Sequence, residues 1–597
     1  MANNFAKIFI KTTVQGYIKQ GKEIFCCNHI VFSRVKYSQN VANYPKAIIK
    51  DNVVFSPFNN VPIDVSNNLY TFLWNRRNWL DHTAVICAVS GSSYTYGELK
   101  KLSETFACGL LNLGFKKGQT IAVVLPNFIE TPVVLLGAIA AGLSVCSINP
   151  TYTSDEIRHQ VLDSSAVGII THSANLSTVN EAITQIDRSI KLIATPGLTN
   201  DKQKFIKNNN SEIYYYENIL KENYNRNRQF LQPNTKSEDL FHISHSSGTT
   251  GLPKGIWLSH GNFINNVLQT TSVPSVKMQK FATGNHQDVV PLVLPIFHNF
   301  ALAMLFKSLY LGSKIILLPK FDGSLFIDAL GKYQATVLYA VPPIIQYLIS
   351  SSNLSRKHTE NLKNIICAGA PFTIPDFNET MKEILPGVHF RQSYGLSEAT
   401  CFLTLNPDLR NDLQTVGVPA PNTQMKVTDL NDGTDKGANE EGEICFKGPQ
   451  MTKGYIDNPK ANEDSIDKDG WFHTGDIGYY DENGYFFIVD RLKDMIKVKG
   501  FQVSPSELEE LLKTHEAVSD VAVIGIPHIK KGEAPLAFIV PANKDDDKTK
   551  TEKQLIEYMK TKVASYKQIE RIEFVDQIPK TMSGKILKKQ LRTLLKK

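Results

Sequence analysis

The sequence predicts an α/β protein: a large, multi-subdomain N-terminal domain with parallel-rich sheets and helices, then a small α+β C-terminal domain. Three observations carry this. Strand and helix patterns alternate from Tyr70 onward, as in βαβ units whose helices cover mainly parallel sheets. At 597 residues the chain exceeds what one hydrophobic core organises. After Lys493 the pattern shortens into a separate unit of about a hundred residues, enough for a domain of its own. The divisions expected are 1–50, a basic N-terminal extension; 51–491, the main domain; and 492–597, the C-terminal one.

Composition narrows the class. With 42% hydrophobic and 21% charged residues, the chain is an ordinary globular one. A formal charge of +7 over this length predicts no nucleic-acid partner, although local basic patches can meet phosphorylated cosubstrates. The eight cysteines lack metal-ligand or disulfide spacing and read as reduced thiols of an intracellular protein, with vicinal Cys26 and Cys27 also open to lipidation. Glycines and Ser144 interrupt the most apolar run, Val133 to Ile148, which therefore reads as a buried helix followed by a strand and not a membrane span.

Taken in order, residues 1–50 carry eight basic residues against a single acid, Glu23. At about 100° per residue Lys7, Lys11, Lys19 and Lys22 fall on one side of a helix, which suits a mitochondrial presequence. The stretch is poor in arginine and serine and has no evident cleavage site, so an ordinary extension is the alternative. Glu98 to Leu113 is apolar at helical spacing, and Thr120 to Leu125 reads as a buried strand. Further strands are expected at Val167 to His172, Ile190 to Ala194, Val289 to Leu294, Lys314 to Leu318, Thr336 to Val341, Asn364 to Ala368 and Gly484 to Val489. The run Pro291 to His298 is expected to end its strand at a proline and then present a histidine. The C-terminal unit reads as a helix at Glu507 to Leu512, strands at Val521 to Gly525 and Ala537 to Val540, a helix at Leu555 to Val563 and a strand at Ile572 to Val575.

The chemistry-bearing stretches lie at the ends of these elements. Ser246, Ser247, Gly248, Thr249, Thr250, Gly251, Leu252, Pro253, Lys254 and Gly255 combine hydroxyls, glycines and a lysine, a combination suited to holding phosphate through inward amides, O–H donors and a positive charge. The order of glycine and lysine does not fit the common P-loop nucleotide motif, and a Ser/Gly-rich turn is the plain alternative. His298 follows Pro295-Ile296-Phe297; a histidine in apolar context is more often simply packed. Gly369, Ala370 and Pro371 place flexible backbone at the carboxyl end of a parallel sheet, where ligands of such folds sit, or simply form a turn. In Gln392-Ser393-Tyr394-Gly395-Leu396-Ser397-Glu398, Tyr394 can stack on a base, Ser397 can donate to a phosphate oxygen, and Glu398 offers a hard oxygen to magnesium. Asp476 can accept both hydroxyl protons of a ribose, and Arg491 can reach the same sugar.

These stretches, in this order, resemble the signatures of adenylate-forming enzymes, specifically the branch holding acyl-CoA synthetases, 4-coumarate ligases and luciferases. The resemblance spans nearly everything beyond residue 50, with Ser397 where threonine is usual. It implies the adenylate-forming fold with a mobile C-terminal domain, and ATP, Mg²⁺ and CoA as cofactor and cosubstrates. His298 would flank the acyl carboxylate, and the turn at Gly369 would lie against adenine. Lys585, in Pro579-Lys580-Thr581-Met582-Ser583-Gly584-Lys585, would be the adenylation lysine. Lys493 would be the hinge that brings Lys497, Lys499, Gly500 and neighbouring Gln502 toward the acyl-adenylate and CoA. Lys320 resembles a CoA-phosphate contact. Lys588, Lys589, Lys596 and Lys597 read as solvated charge.

Phe300, followed by Leu302 and Met304, stands where 4-coumarate ligases commonly carry a tyrosine. A wall without a hydroxyl favours a medium- or long-chain fatty acid, or another apolar carboxylate, over a hydroxycinnamate. The alternatives are a 4-coumarate-type ligase, a luciferase-like oxygenase and an inactive nucleotide-binding scaffold. The chain ends Leu594-Leu595-Lys596-Lys597, without the Ser-Lys-Leu peroxisomal address, so mitochondria, then cytosol, are expected.

Overall fold

The computed structural model describes residues 45–595 except 64–67, 76–78, 197–212, 222–230, 232–234, 247–252, 274–275, 277, 371–382, 408–413, 499–500, 529–530, 544, 546, 564 and 582–585. The helical reading of residues 1–44, with Cys26 and Cys27, lies outside the described residues. The six described cysteines are free and buried. Among the described residues no helix is long and apolar enough to cross a membrane.

Strand–helix alternation builds three parallel-rich sheets. The largest has seven strands, ordered Lys254–Ser259, Leu240–Ser246, Ser144–Ser147, Thr120–Val124, Gly168–His172, Lys191–Thr195 and Ile213–Tyr215. Only Lys254–Ser259 runs antiparallel within it, because a short hairpin joins it to Leu240–Ser246. The apolar run at Val133 resolves into the buried helix Glu130–Ala140 and the strand Ser144–Ser147, separated at Gly142, whose φ of 74° is the left-handed conformation glycine adopts freely. A second sheet orders Val289–Leu292, Lys314–Leu317, Thr83–Cys87 and Ser93–Thr95. The strand Val289–Leu292 stops short of Pro295, and Pro291 lies inside it. That strand is at the sheet edge, where a residue without an N–H is tolerated.

The third sheet, Val337–Ala340, Asn364–Cys367 and His389–Gln392, is wholly parallel. The helix Asn299–Leu311, buried along its whole length, packs against Val289–Leu292 and Lys314–Leu317 of the second sheet. Gly312 ends that helix at φ 78°, and a Cβ there would come within 2.9 Å of the Trp79 ring.

A six-stranded antiparallel sheet follows: Ile48–Lys50, Val53–Phe55, Gln424–Thr428, Gly442–Lys447, Phe472–Tyr480 and Phe486–Arg491. Its first strand lies inside the basic N-terminal stretch, and the Tyr485 hydroxyl donates to the Pro45 carbonyl at 3.3 Å. The last strand leads into the C-terminal domain. There the hairpin Val518–His528 and Gly532–Pro541 pairs with Arg571–Phe574 in parallel and with Ile496–Val498, which pairs with Phe501–Val503. Both hairpin strands outrun the apolar stretches that predicted them, because main-chain hydrogen bonds extend the ladder through polar positions such as Asp520 and Glu533. Leu508, Leu512, Leu555 and Met559 of two helices close its core over Val521, Val523 and Ile539. The junction is tied at Asp490, whose Oδ2 accepts from the Ser504 hydroxyl at 2.6 Å and the Ser506 amide at 3.0 Å.

Candidate active site

The hairpin Leu240–Ser246 and Lys254–Ser259 pairs Ser246 with Lys254, so the intervening loop closes between a hydroxyl residue and a lysine. Ser247, Gly248, Thr249 and Thr250 lie outside the described residues, as does the side chain of Ser246. The base of the hairpin is rigid and polar. His245, buried, hydrogen-bonds Asp163 through Nε2 at 2.8 Å, and its Nδ1 lies 3.9 Å from the Cys146 sulfur. Burial alone would keep the imidazole neutral; the Cys146 sulfur and the Asp163 carboxylate outweigh it and push His245 up to about 9. Gly255 is needed at this point, because a Cβ would come within 2.6 Å of Asp163 Oδ2. Lys254 Nζ sits 5.4 Å from the centre of the Tyr455 ring, a cation–π contact.

Tyr455 also joins the loop to Glu398, donating its hydroxyl to Glu398 Oε1 at 3.0 Å. Glu398 lies in the short 3₁₀ turn Ser397–Ala399, and its carbonyl accepts from the Thr452 amide at 2.7 Å. Though partly accessible, its carboxyl is raised above the ordinary range, mainly by desolvation, with Tyr455 opposing the rise. Ser397 is held through its carbonyl, which accepts from Asn299 Nδ2 at 3.2 Å, and its side chain is partly exposed. Nothing in the sequence pointed to Tyr455, which lies 57 residues from its partner in a stretch without a local motif.

Three of the expected residues meet in one cluster. Tyr394 donates to Asp476 Oδ2 at 2.6 Å, while Arg491 Nε reaches Asp476 Oδ1 at 2.9 Å. Asp476 and Arg491 are cross-strand neighbours, so the antiparallel register sets this pairing. Tyr394 and Asp476 are buried, and Arg491 remains partly open. Burial first, then the Asp476 charge, keeps the Tyr394 phenol protonated. Each Asp476 oxygen accepts one internal bond and keeps a lone pair for a sugar hydroxyl. Gln392 ends its strand, buried, two residues before Tyr394. Gly369, exposed with φ 91°, and Ala370 follow the adjacent strand Asn364–Cys367; Pro371 lies outside the described residues.

His298 caps the helix Asn299–Leu311: its Nδ1 accepts from the Phe300 amide at 3.3 Å, and the residue is exposed at the helix start. Phe300 packs edge-on to Tyr339 at 6.3 Å and to Phe402 at 5.7 Å between ring centres. Lys320 is exposed beyond the strand Lys314–Leu317.

On the C-terminal side, Lys497 is exposed in Ile496–Val498, and its backbone pairs with Gln502. Lys499, Gly500 and Lys585 lie outside the described residues, as do the side chains of Lys493 and Gln502. Lys588 departs from the expectation of solvated charge. Its side chain is only 12% exposed and pairs with Asp494 at 3.7 Å, next to the expected hinge, because the helix Lys588–Leu594 packs against the domain through buried Leu591.

A hairpin closing on Lys254, the Glu398 carboxylate tied to it through Tyr455, and the Tyr394–Asp476–Arg491 cluster match the adenylate-forming class of enzymes. Residues 72–456 match the AMP-binding enzyme family and residues 507–585 the AMP-binding enzyme C-terminal domain, so the chain belongs to the AMP-binding enzymes. It is similar to 4-coumarate–CoA ligase 1 of Petroselinum crispum, at 33% identity over 86% of this chain and 91% of that protein. Its fold matches ATP-bound MatB from Rhodopseudomonas palustris with a TM-score of 0.77 at 26% identity, over 89% of this chain and 99% of that one. It also matches the o-succinylbenzoate CoA synthetase of Bacillus subtilis in complex with its acyl-adenylate intermediate, with a TM-score of 0.73 at 25% identity, over 89% and 98%. The protein is an AMP-forming acyl-CoA synthetase.

Proposed function

We propose that this synthetase activates an aromatic carboxylic acid, in preference to the fatty acid that Phe300 first suggested. The observation that carries this is the edge-on packing of Phe300 with Tyr339 and Phe402 just beyond His298, which builds ring-lined walls suited to a flat aryl group. The 4-coumarate ligases among its relatives support the same choice.

The reaction has two halves. The acid's carboxylate oxygen attacks the α-phosphorus of ATP, the bond to the β-phosphate oxygen breaks, and pyrophosphate leaves. The CoA sulfur then attacks the acyl carbon as a thiolate, and AMP departs with the bonding pair. In the first half His298 flanks the carboxylate, the loop from Ser246 to Lys254 grips the departing pyrophosphate, and Asp476, oriented by Tyr394 and Arg491, holds the ribose. Ser397 donates to phosphate oxygen, Gln392 and the backbone at Gly369 frame the base, and Lys585 bridges the reacting groups. Glu398 fits a magnesium ion, being a desolvated carboxylate whose charge a divalent cation would stabilise while Tyr455 fixes one oxygen. A magnesium ion held by Glu398 would supply neutralisation of the negative charge on the phosphates. In the second half the C-terminal domain turns about Lys493, bringing Lys497, Lys499 and Gly500 toward CoA, whose phosphate meets Lys320.

Thioester formation across 4-coumarate, cinnamate, benzoate, octanoate and palmitate tests the substrate class. The aryl acids should give the higher kcat/KM, and a preference for palmitate or octanoate would refute the choice.

A further inference from the structure

The helix that starts at His298 carries one residue that neither the mechanism nor the apolar walls use. Lys307 is fully buried, and its Nζ has no hydrogen-bond partner among the described residues. It lies seven residues beyond Phe300, two turns and about 10 Å along the helix, so the two side chains share a face. Both meet the same ring: Lys307 Nζ is 5.6 Å from the centre of Tyr339, and Phe300 is 6.3 Å from it on another side. Tyr339 keeps its own hydroxyl on Gln279 at 2.6 Å, so it offers Lys307 only its face. The other groups acting on the charge are Cys401, itself protonated because burial raises its thiol, and Arg391, whose charge is of like sign. Burial accordingly lowers the ammonium to about 7. A lysine kept only for packing would be expected to reach a carboxylate or a carbonyl.

We propose that Lys307 recognises an acceptor oxygen on the acyl substrate at the end remote from the reacting carboxylate, so that the preferred acid is an aryl acid bearing a distal hydroxyl or carboxyl group. This rests on the aryl reading above. The carboxylate enters at His298, the ring lies against Phe300 and Tyr339, and the distal oxygen reaches Nζ two turns further in. Bound substrate then supplies the hydrogen bond that the protein leaves unmade. An acid lacking the oxygen leaves the ammonium unsatisfied and is discriminated against.

The test compares wild type with Lys307→Met and Lys307→Gln on cinnamate, 4-hydroxycinnamate and 4-carboxycinnamate, with octanoate and its ω-carboxylated counterpart in parallel. Wild type should favour one oxygen-bearing aryl acid over cinnamate by roughly 10- to 100-fold in kcat/KM, the range of a buried hydrogen bond to a charged group. Whichever is favoured tells hydroxyl from carboxylate. Lys307→Met should bring that ratio to within about threefold of unity, and Lys307→Gln, which keeps a donor, should fall between. Thermal unfolding of Lys307→Met at or above the wild-type temperature confirms that the variant folds without an uncompensated buried charge. An unchanged ratio, or an equal loss for every acid, overturns the proposal. If wild type takes only the aliphatic pair, the aryl reading fails, and the ω-carboxylated to plain ratio in wild type and Lys307→Met still decides the role of Lys307.

Discussion

Tyr394→Phe removes one oxygen and tests the nucleotide cluster directly. The ring stays, so any stacking on the base survives, while Asp476 Oδ2 loses a donor at 2.6 Å. Asp476 is 3% exposed, so water does not readily replace that donor. A hydrogen bond to a buried charged group is worth about 1.5–3 kcal/mol, and its loss corresponds to roughly 10- to 100-fold. Arg491 still holds Oδ1 at 2.9 Å, so the carboxylate keeps part of its orientation and the lower end of that range applies. The ribose contact exists before and during adenylation, so the loss should appear as a raised KM for ATP with kcat nearly unchanged. Pyrophosphate exchange at varied ATP measures both constants. Tyr394→Phe and Asp476→Asn should be non-additive when combined, because each removes the same interaction. An unchanged KM for ATP, or strict additivity, would refute the coupling and leave Tyr394 with the base alone.

Two further outcomes follow from buried or desolvated acids. Glu398→Gln should slow adenylation by about 10²–10³, the usual cost of losing one preorganised charged group. Its pyrophosphate exchange should also lose the acid limb seen in wild type, where activity falls as the raised carboxyl takes up a proton; a limb that persists in the variant assigns it to another group. Glu509 is buried; desolvation raises it to about 7, with Lys588 and the Val523 amide opposing the rise. A carboxyl raised on folding contributes stability below its unfolded pKa, and that contribution is lost as pH rises through the folded one. From the ordinary 4.5 to about 7 this amounts to on the order of 3 kcal/mol. Hydrogen exchange in the helix Pro505–Lys513, corrected for intrinsic rates, should show protection declining over that interval in wild type and staying flat in Glu509→Gln. The same slope in both proteins would exclude Glu509 as its source.

Residues that act from one short stretch were legible in the sequence, and residues that act through distant partners were not. Tyr394, Glu398, Asp476 and Arg491 stood out because each lies in a run of unusual composition, and the register of two adjacent strands then brings Asp476 and Arg491 together. Tyr455 was invisible because its partners, Glu398 and Lys254, are 57 and about two hundred residues away, and only the packing of three segments unites them. Lys307 hid inside an apolar helix as its one charged residue, and only the structure shows that it is completely buried. Lys588 looked like part of a basic tail until Leu591 docked the helix against the domain. Phe300 was read alone, and its packing against Tyr339 and Phe402, from distant segments, was not visible in the sequence.

The last strand of the main domain, Phe486–Arg491, ends in two residues with different allegiances. Arg491 pairs with Asp476, the proposed ribose ligand, and Asp490 accepts from Ser504 and Ser506 of the C-terminal domain. On the proposed mechanism, a single peptide bond joins the nucleotide site to the anchor of the C-terminal domain. Linkage requires that a favourable coupling between the two ends be felt in both directions. Loss of AMP should then loosen the anchor, and a change of domain orientation should weaken the grip on AMP. On the proposed mechanism, this coupling would keep the two half-reactions in sequence through adjacent residues of one strand.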